Sequence, residues 1–128
     1  MSAPPLTLLI VDDHFVVRSG LAASLELDDT IQVLGEVERT EDVVSTYQRL
    51  GPRVVLMDLQ LPSAGGIAAT AALRAHDANA RVLIFSTFAR DDEIQAALDA
   101  GALGYLQKSA TRAELLHALR EVAQGRSS

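Results

Sequence analysis

Short apolar runs rich in β-branched residues alternate along the chain with longer stretches in which apolar positions recur every three or four residues. This alternation is typical of repeated βα units around a parallel sheet. The runs that predict strands are Leu6 to Val11, Ile31 to Val37, Arg53 to Met57, Arg81 to Phe85 and Leu103 to Leu106. The second run carries several polar residues, so we expect it at an edge of the sheet. The others are apolar enough to be covered on both faces.

Five stretches with a helical period follow these strands. They are His14 to Leu27, Glu41 to Leu50, Ile67 to His76, Asp91 to Ala100 and Arg112 to Gln124. Glycine is common just past the end of a helix, and it stands there at Gly51, Gly101 and Gly125. Hydroxyl side chains often cap helix starts, and we expect this role for Thr40 and Thr111.

The last predicted helix has two apolar stripes. Leu115, Leu119 and Val122 should face the sheet, whereas Leu116 and Ala123 form a second stripe. The second stripe predicts either a contact with another subunit or a broad core-facing surface. The first helix offers Phe15, Val16 and the Ala22-Ala23 pair for the same kind of contact.

Composition narrows the class of protein. With 128 residues, 48% of them hydrophobic and 22% charged, the chain fits one globular domain over 1–128 with a core of about 6–125. The net charge of -6 argues against direct binding of this domain to nucleic acid or an anionic membrane. Cysteine is absent, which excludes disulfides and thiolate chemistry and suits the cytoplasm. The Leu6 to Val11 run ends at two aspartates without a basic leader, so we expect no membrane segment.

Polar side chains cluster where the predicted strands end. Asp12 and Asp13 follow the first strand, and Asp58 follows the third; the later strands are followed by Ser86 with Thr87 and by Gln107 with Lys108. In a parallel sheet these ends meet at one edge, where ligands of open α/β folds bind. We therefore expect three carboxylates, a hydroxyl and an ammonium around one crevice.

This group of side chains favours a hard divalent cation. Neighbouring carboxylates repel one another and need a compensating charge. Because the candidate ligands are oxygens, Mg²⁺ is favoured over zinc, with Mn²⁺ as a substitute. Lys108 is the only lysine beside ten arginines, which suggests that a compact ammonium is needed there to pair with an anion.

Four segments, in order and with matching spacing, resemble a known family. They are LLIVDDHFVVRSGL from Leu8 to Leu21, VVLMDLQLP from Val54 to Pro62, IFST from Ile84 to Thr87 and GALGYLQK from Gly101 to Lys108. The chain resembles a receiver domain of two-component response regulators, of the NarL/FixJ type that usually precedes a LuxR-type helix-turn-helix. The resemblance implies a flavodoxin-like (CheY-like) five-stranded parallel sheet in the order 2-1-3-4-5, with five helices on both faces.

The resemblance also implies roles at the acidic cluster. Asp58 would be the phosphoacceptor, attacking the phosphorus of a phosphohistidine on a kinase. Mg²⁺ would be ligated by Asp13, Asp58 and the backbone carbonyl of Gln60, while Asp12 would act through metal-bound water. Bulky Phe88 would shield the phosphoryl group from water.

The remaining implied roles concern the switch. Lys108 would pair with a phosphoryl oxygen. On phosphorylation Ser86, with Thr87 next to it, would turn towards the phosphate and open space for Tyr105 to rotate. Ser109 follows Lys108 where many receivers have proline, so the geometry of that peptide is open.

The expected partners are a sensor histidine kinase and, on phosphorylation, a second copy of the chain. DNA would be bound only by a C-terminal effector domain that this sequence does not contain. The chain would not be an enzyme beyond its own phosphorylation and dephosphorylation. Two alternatives stay open: a pseudo-receiver that binds partners without phosphate, and a haloacid-dehalogenase-like phosphatase. The phosphatase chemistry needs a second acid two residues after the nucleophile, where this chain has Gln60.

Overall fold

The structure, a computed structural model, describes residues 4–61 and 65–128. Its elements in chain order are β1 (Leu6–Val11), α1 (Phe15–Glu26), β2 (Ile31–Val37), α2 (Val43–Leu50), β3 (Val54–Met57), α3 (Gly65–His76), β4 (Val82–Ser86), α4 (Asp91–Asp99), β5 (Gly104–Gln107) and α5 (Arg112–Ala123). Pro62, at the end of the second family motif, lies outside the described residues. None of the helices within the described ranges is long and apolar enough to cross a membrane.

The five strands form one parallel sheet in the order β2-β1-β3-β4-β5. This confirms the expected order 2-1-3-4-5, and β2 is at an edge as its polar residues predicted. In the centre of the sheet, Leu8 of β1 lies opposite Val54 of β3, and Val11 lies opposite Met57. Because all strands run in the same direction, the loops after β1, β3, β4 and β5 meet at one edge.

The sheet separates two hydrophobic cores. Leu8 and Ile10 of β1 face the core that α1 and α5 cover. Leu9 and Val11, one position on, face the core formed with α2, α3 and α4. The two-residue period of a strand thus buries β1 on both faces, and the expected helices on both sides of the sheet are confirmed.

Helix starts follow two different patterns. Thr111 caps α5 as predicted: its Oγ1 accepts a hydrogen bond from Glu114 N at 3.1 Å, and the Glu114 carboxylate accepts one from Thr111 N at 2.9 Å. The prediction for α2 was wrong in detail. Thr40–Asp42 form a 3-10 turn, so the α-helix begins at Val43 and Asp42 occupies the N-cap position that was assigned to Thr40.

The second stripe of α5 belongs to the core. Leu116 is 7% exposed and Ala123 is 3% exposed, and both pack in the same core as Leu119. Of the two interpretations, the structure supports the broad core-facing surface. On α1, Ala22 is buried in that core too, whereas Phe15 and Val16 are exposed.

Candidate functional site

Asp12 is a buried carboxylate at the end of β1. Its backbone N donates to Val37 O at 2.9 Å, and 2% of the residue is exposed. Its Oδ1 accepts from His14 N at 2.8 Å, and its Oδ2 accepts from Lys108 Nζ at 2.6 Å. Burial acts to raise the pKa of Asp12, but the hydrogen bonds from Lys108 and His14 outweigh it and hold the pKa below its usual range. Asp12 is therefore a carboxylate held ionised inside the fold.

Asp58 lies beside it, at the end of β3. It is 3% exposed, and its backbone N donates to Val11 O at 2.9 Å. Oδ1 of Asp58 accepts from Gln60 N at 3.0 Å, and Oδ2 accepts from Lys108 Nζ at 3.3 Å. Lys108 thus bridges carboxylates that are separated by 46 positions in the sequence, as the parallel sheet led us to expect.

Lys108 reaches the two acids from the loop after β5. Its backbone N donates to Ser86 O at 2.9 Å, which fixes the loop against the end of β4. The side chain is 14% exposed. The peptide that joins it to Ser109 is trans. The single positive charge of Lys108 neutralises only part of the negative charge of two buried carboxylates. The remaining negative charge favours binding of a further cation.

Asp13 supplies the third carboxylate and shows where such a cation fits. Its Oδ1 is buried and accepts no hydrogen bond from the described residues, although His14 Nδ1 lies 3.2 Å away. Ligand atoms of Asp12, Asp13, His14 and Asp58 all lie within 4.8 Å of one another. A buried carboxylate oxygen that accepts no hydrogen bond from the described residues, close to two other carboxylates, suits Mg²⁺. The His14 ring is exposed, but its Nδ1 lies 3.1 Å from Asp12 Oδ1 and 3.2 Å from Asp13 Oδ1.

The predicted switch residues lie at the same edge of the sheet. Ser86 is fully buried at the end of β4, and its Oγ has no hydrogen-bond partner among the described residues. Tyr105 of β5 is half-buried, packs against the core of α2, α3 and α4, and also has a buried hydroxyl without a partner in this part of the chain. The Thr87 side chain is exposed. Two buried hydroxyls are thus free to take new partners.

Two loops are joined beside Asp58. The side-chain Nε2 of Gln60 donates to the backbone O of Phe88 at 3.2 Å. The Phe88 ring is exposed. On the other side, a Cβ at Gly66 would lie 2.2 Å from Asp58 O, so α3 can begin this close to the strand end only with glycine there. The sequence pattern alone did not predict this close approach at Gly66.

The response regulator receiver domain family matches residues 8–120 of the chain. The chain belongs to this family. Each of the four segments that resemble the family contributes to this edge of the sheet. The first supplies Asp12 and Asp13, the second Asp58, the third Ser86 and the last Lys108.

Relatives place the receiver more closely. It is 36% identical to the transcriptional regulatory protein LiaR of Bacillus subtilis (strain 168) over 120 residues. This alignment covers 94% of this chain and 57% of LiaR. It is 32% identical over 121 residues to the nitrate/nitrite response regulator protein NarL of Escherichia coli (strain K12), covering 94% of this chain and 56% of NarL. A crystal structure of a LuxR-family two-component response regulator from Aurantimonas sp. SI85-9A1 matches with a TM-score of 0.91 and 36% identity, over 96% of this chain and 88% of that chain. This is a receiver domain of the NarL/LuxR type, and it spans a little over half the length of these curated relatives.

One residue of the receiver's site region carried no assigned role in the sequence analysis. Arg18 of α1 is 8% exposed, and its Nη1 donates to the backbone O of Asp12 at 2.5 Å. Its Nε donates to Glu36 Oε1 at 3.1 Å. The sequence signal was an arginine among the apolar residues of an amphipathic helix. That signal does not say which backbone group the side chain reaches.

Proposed function

We propose that this receiver accepts a phosphoryl group on Asp58 from a phosphohistidine of a sensor histidine kinase, in a reaction that depends on Mg²⁺. The observation that carries the proposal is the position of Lys108, whose ammonium bridges Asp12 and Asp58 beside Oδ1 of Asp13, an atom that accepts no hydrogen bond from the described residues. A nucleophilic carboxylate, a fixed cation and a set of oxygen ligands suited to Mg²⁺ are the elements that phosphoryl transfer needs.

In the transfer, a carboxylate oxygen of Asp58 attacks the phosphorus. The P–N bond of the phosphohistidine breaks, and its electron pair stays on the imidazole nitrogen, which then takes a proton from solvent. The product is an acyl phosphate on Asp58. Lys108, which Asp12 and Asp58 already hold at the site, pairs with a phosphoryl oxygen, so little reorganisation is needed as charge develops.

Mg²⁺ would be held by the carboxylates of Asp13 and Asp58 and by the backbone carbonyl of Gln60, with Asp12 acting through water. When bound, the ion neutralises charge on the transferred group and orients it. Gln60 N already holds one oxygen of Asp58, at 3.0 Å, so the carboxylate is oriented before phosphate arrives.

Phosphorylation then changes a surface. Ser86 Oγ, which is buried without a partner in the described chain, turns to a phosphoryl oxygen, and Tyr105 rotates into the vacated space. Thr87, the next residue in the chain, moves together with Ser86. This alters the face formed by α4, β5 and α5, a two-state element biased by one new anion. We further propose that the switched receiver forms a homodimer and that its output passes through a C-terminal DNA-binding domain of the LuxR type. The relative LiaR is named a transcriptional regulatory protein, which agrees with an output in transcription.

The decisive experiment is incubation with Mg²⁺ and acetyl phosphate, followed by intact mass measurement. We expect one added phosphoryl group, absent in Asp58→Asn and absent when EDTA replaces Mg²⁺. Asp29→Asn, at an exposed aspartate between α1 and β2 at the opposite edge of the sheet, is the matched control and should be phosphorylated like the wild type. Turnover of many phosphate esters would indicate the phosphatase instead, and no adduct with any phosphodonor would indicate the pseudo-receiver.

A further inference from the structure

Arg18 is a buried cation next to the proposed metal site. It is 8% exposed, and among residues 4–61 and 65–128 it is the one buried residue with a positive charge. A buried guanidinium is unfavourable unless its donors are paired with acceptors. Its partners therefore indicate why it is there.

Those partners come from two different elements. Nη1 donates to the backbone O of Asp12 at 2.5 Å, directly after β1, and Nε donates to Glu36 Oε1 at 3.1 Å in β2. The guanidinium carbon also lies 5.7 Å from the centre of the Phe15 ring, close enough for a cation–π contact. Arg18 thus joins α1 to the turn that carries the acids and to the edge strand.

The contact with Asp12 acts on a peptide, not on a side chain. The Asp12 carbonyl belongs to the peptide that joins Asp12 to Asp13, so its direction fixes the rotation of that peptide. The Asp12 carboxylate has its own restraints from His14 and Lys108. Oδ1 of Asp13 accepts no hydrogen bond from the described residues and lies 3.2 Å from Nδ1 of the exposed His14 ring, so the buried backbone contributes strongly to the direction of the Asp13 carboxylate.

We propose that Arg18 is a positioning residue for the metal site, and this inference rests on the proposed function. By holding the carbonyl of Asp12, it keeps the Asp12-Asp13 peptide in the rotation that directs the Asp13 carboxylate towards Asp58. Residues that orient metal ligands from outside the ligand shell commonly change metal affinity by roughly tenfold or more when they are removed.

A purely structural role would leave metal affinity unchanged. In that case Arg18 would serve only to attach α1 to β2 through Glu36. The contacts can be separated: Glu36→Gln removes the ion pair with Glu36 but leaves the Asp12 contact and the longer, 4.0 Å approach of Nη1 to Glu38 Oε2, whereas Arg18→Met removes all of them. Arg18→Lys keeps the charge but loses the fork that reaches two acceptors at once. Arg120→Met is the matched control, since Arg120 pairs with Asp28 on the surface away from the acids.

The test is Mg²⁺ titration by calorimetry, on each variant in its phosphate-free form, at a temperature where circular dichroism shows the native helix content. We expect the Mg²⁺ dissociation constant of Arg18→Met to rise roughly tenfold. Arg18→Lys should fall between Arg18→Met and the wild type. Glu36→Gln and Arg120→Met should stay close to the wild type.

A folded Arg18→Met protein with wild-type Mg²⁺ affinity would overturn the inference. If Arg18→Met does not fold, Arg18→Lys decides: weakened Mg²⁺ binding supports the positioning role, and unchanged binding refutes it. A loss in Glu36→Gln as large as in Arg18→Met would assign the effect to the attachment of β2, and would also refute it. Failure of the proposed function gives a different result, because the wild type itself would then bind no Mg²⁺ and take no phosphate on Asp58.

Discussion

The ammonium of Lys108 lies 2.6 Å from Oδ2 of Asp12, closer than its 3.3 Å distance to Asp58. Asp12 is 2% exposed, so this pair is shielded from the water that weakens surface ion pairs. Removal of one partner from a buried pair leaves the other charge uncompensated. Lys108 therefore stabilises the metal-free fold, in addition to its proposed role in phosphoryl transfer.

The first prediction follows from that pair. Lys108→Met should lower the free energy of unfolding by about 3 kcal/mol in the absence of Mg²⁺, because the acids then lack their cation. Added Mg²⁺ should restore more stability to the variant than it adds to the wild type. Urea unfolding with and without Mg²⁺ measures both effects.

Arg120→Met, which removes a partly exposed ion pair, is the control. It should lower the free energy of unfolding by less than about 1 kcal/mol, and added Mg²⁺ should not change its stability relative to the wild type. Equal stability of Lys108→Met and wild type would contradict this account.

The convergence of Asp12, Asp58 and Lys108 could be predicted because it depends on topology alone. Apolar runs identified the strands, and parallel strands bring their ends to one edge whatever the side-chain details. The same reasoning placed β2 at an edge from its polar residues. Such inferences need only the pattern of residue types along the chain.

Contacts that depend on three-dimensional packing could not be predicted in this way. Arg18 donates a hydrogen bond to the backbone carbonyl of Asp12. Because every residue has such a carbonyl, the sequence does not indicate which one a side chain will contact. Leu116 could face a partner or the core, and only the position of α5 on the sheet decides between them. α2 begins only at Val43 because Thr40–Asp42 form a 3-10 turn. Such turns are frequent at the start of α-helices, and the pattern of apolar residues does not distinguish them from a first α-helical turn.

The second prediction concerns two glycines. A Cβ at Gly66 would lie 2.2 Å from Asp58 O, so Gly66→Ala should force α3 away from the end of β3 and cost roughly 2 kcal/mol or more. A Cβ at Gly20 would have no atom within 4 Å, so Gly20→Ala in α1 should stabilise by up to about 1 kcal/mol. Urea unfolding of the two variants compares the same substitution in opposite surroundings. Similar effects at both positions would show that the close approach at Gly66 is not required.

The third prediction is a pH dependence away from the site. Tyr47 donates to Asp77 Oδ2 at 2.7 Å, and burial together with this bond raises the pKa of Tyr47 to about 12. In the unfolded chain the pKa is about 10. Because the folded value is the higher one, the contribution of Tyr47 to stability is complete below about pH 10 and is lost as the pH rises through about 12.

The measurement for Tyr47 is an alkaline titration of phenolate absorbance. Subtracting the curve of Tyr47→Phe from that of the wild type isolates Tyr47 from Tyr105, the other tyrosine of the chain. In Asp77→Asn the pKa of Tyr47 should fall, since the negative charge that opposes its ionisation is gone. A Tyr47 midpoint at the ordinary value in the wild type would rule out the hydrogen bond with Asp77.

The fourth prediction concerns the lifetime of the phosphorylated receiver. Phe88 lies two residues after Ser86, the last residue of β4, and its backbone O accepts a hydrogen bond from the side chain of Gln60. Phe88→Ala removes the ring but keeps that hydrogen bond, so the variant tests the apolar group alone. If the ring excludes water from the acyl phosphate on Asp58, hydrolysis should become several-fold faster in Phe88→Ala. The decay of the phosphorylated mass after removal of acetyl phosphate gives the rate.

Leu27→Ala, which truncates an exposed apolar side chain just past the end of α1, is the control. Its phosphorylated form should decay at the wild-type rate. Because the ring is 66% exposed before phosphorylation, it must move towards Asp58 to act, and an unchanged lifetime in Phe88→Ala would show that it does not.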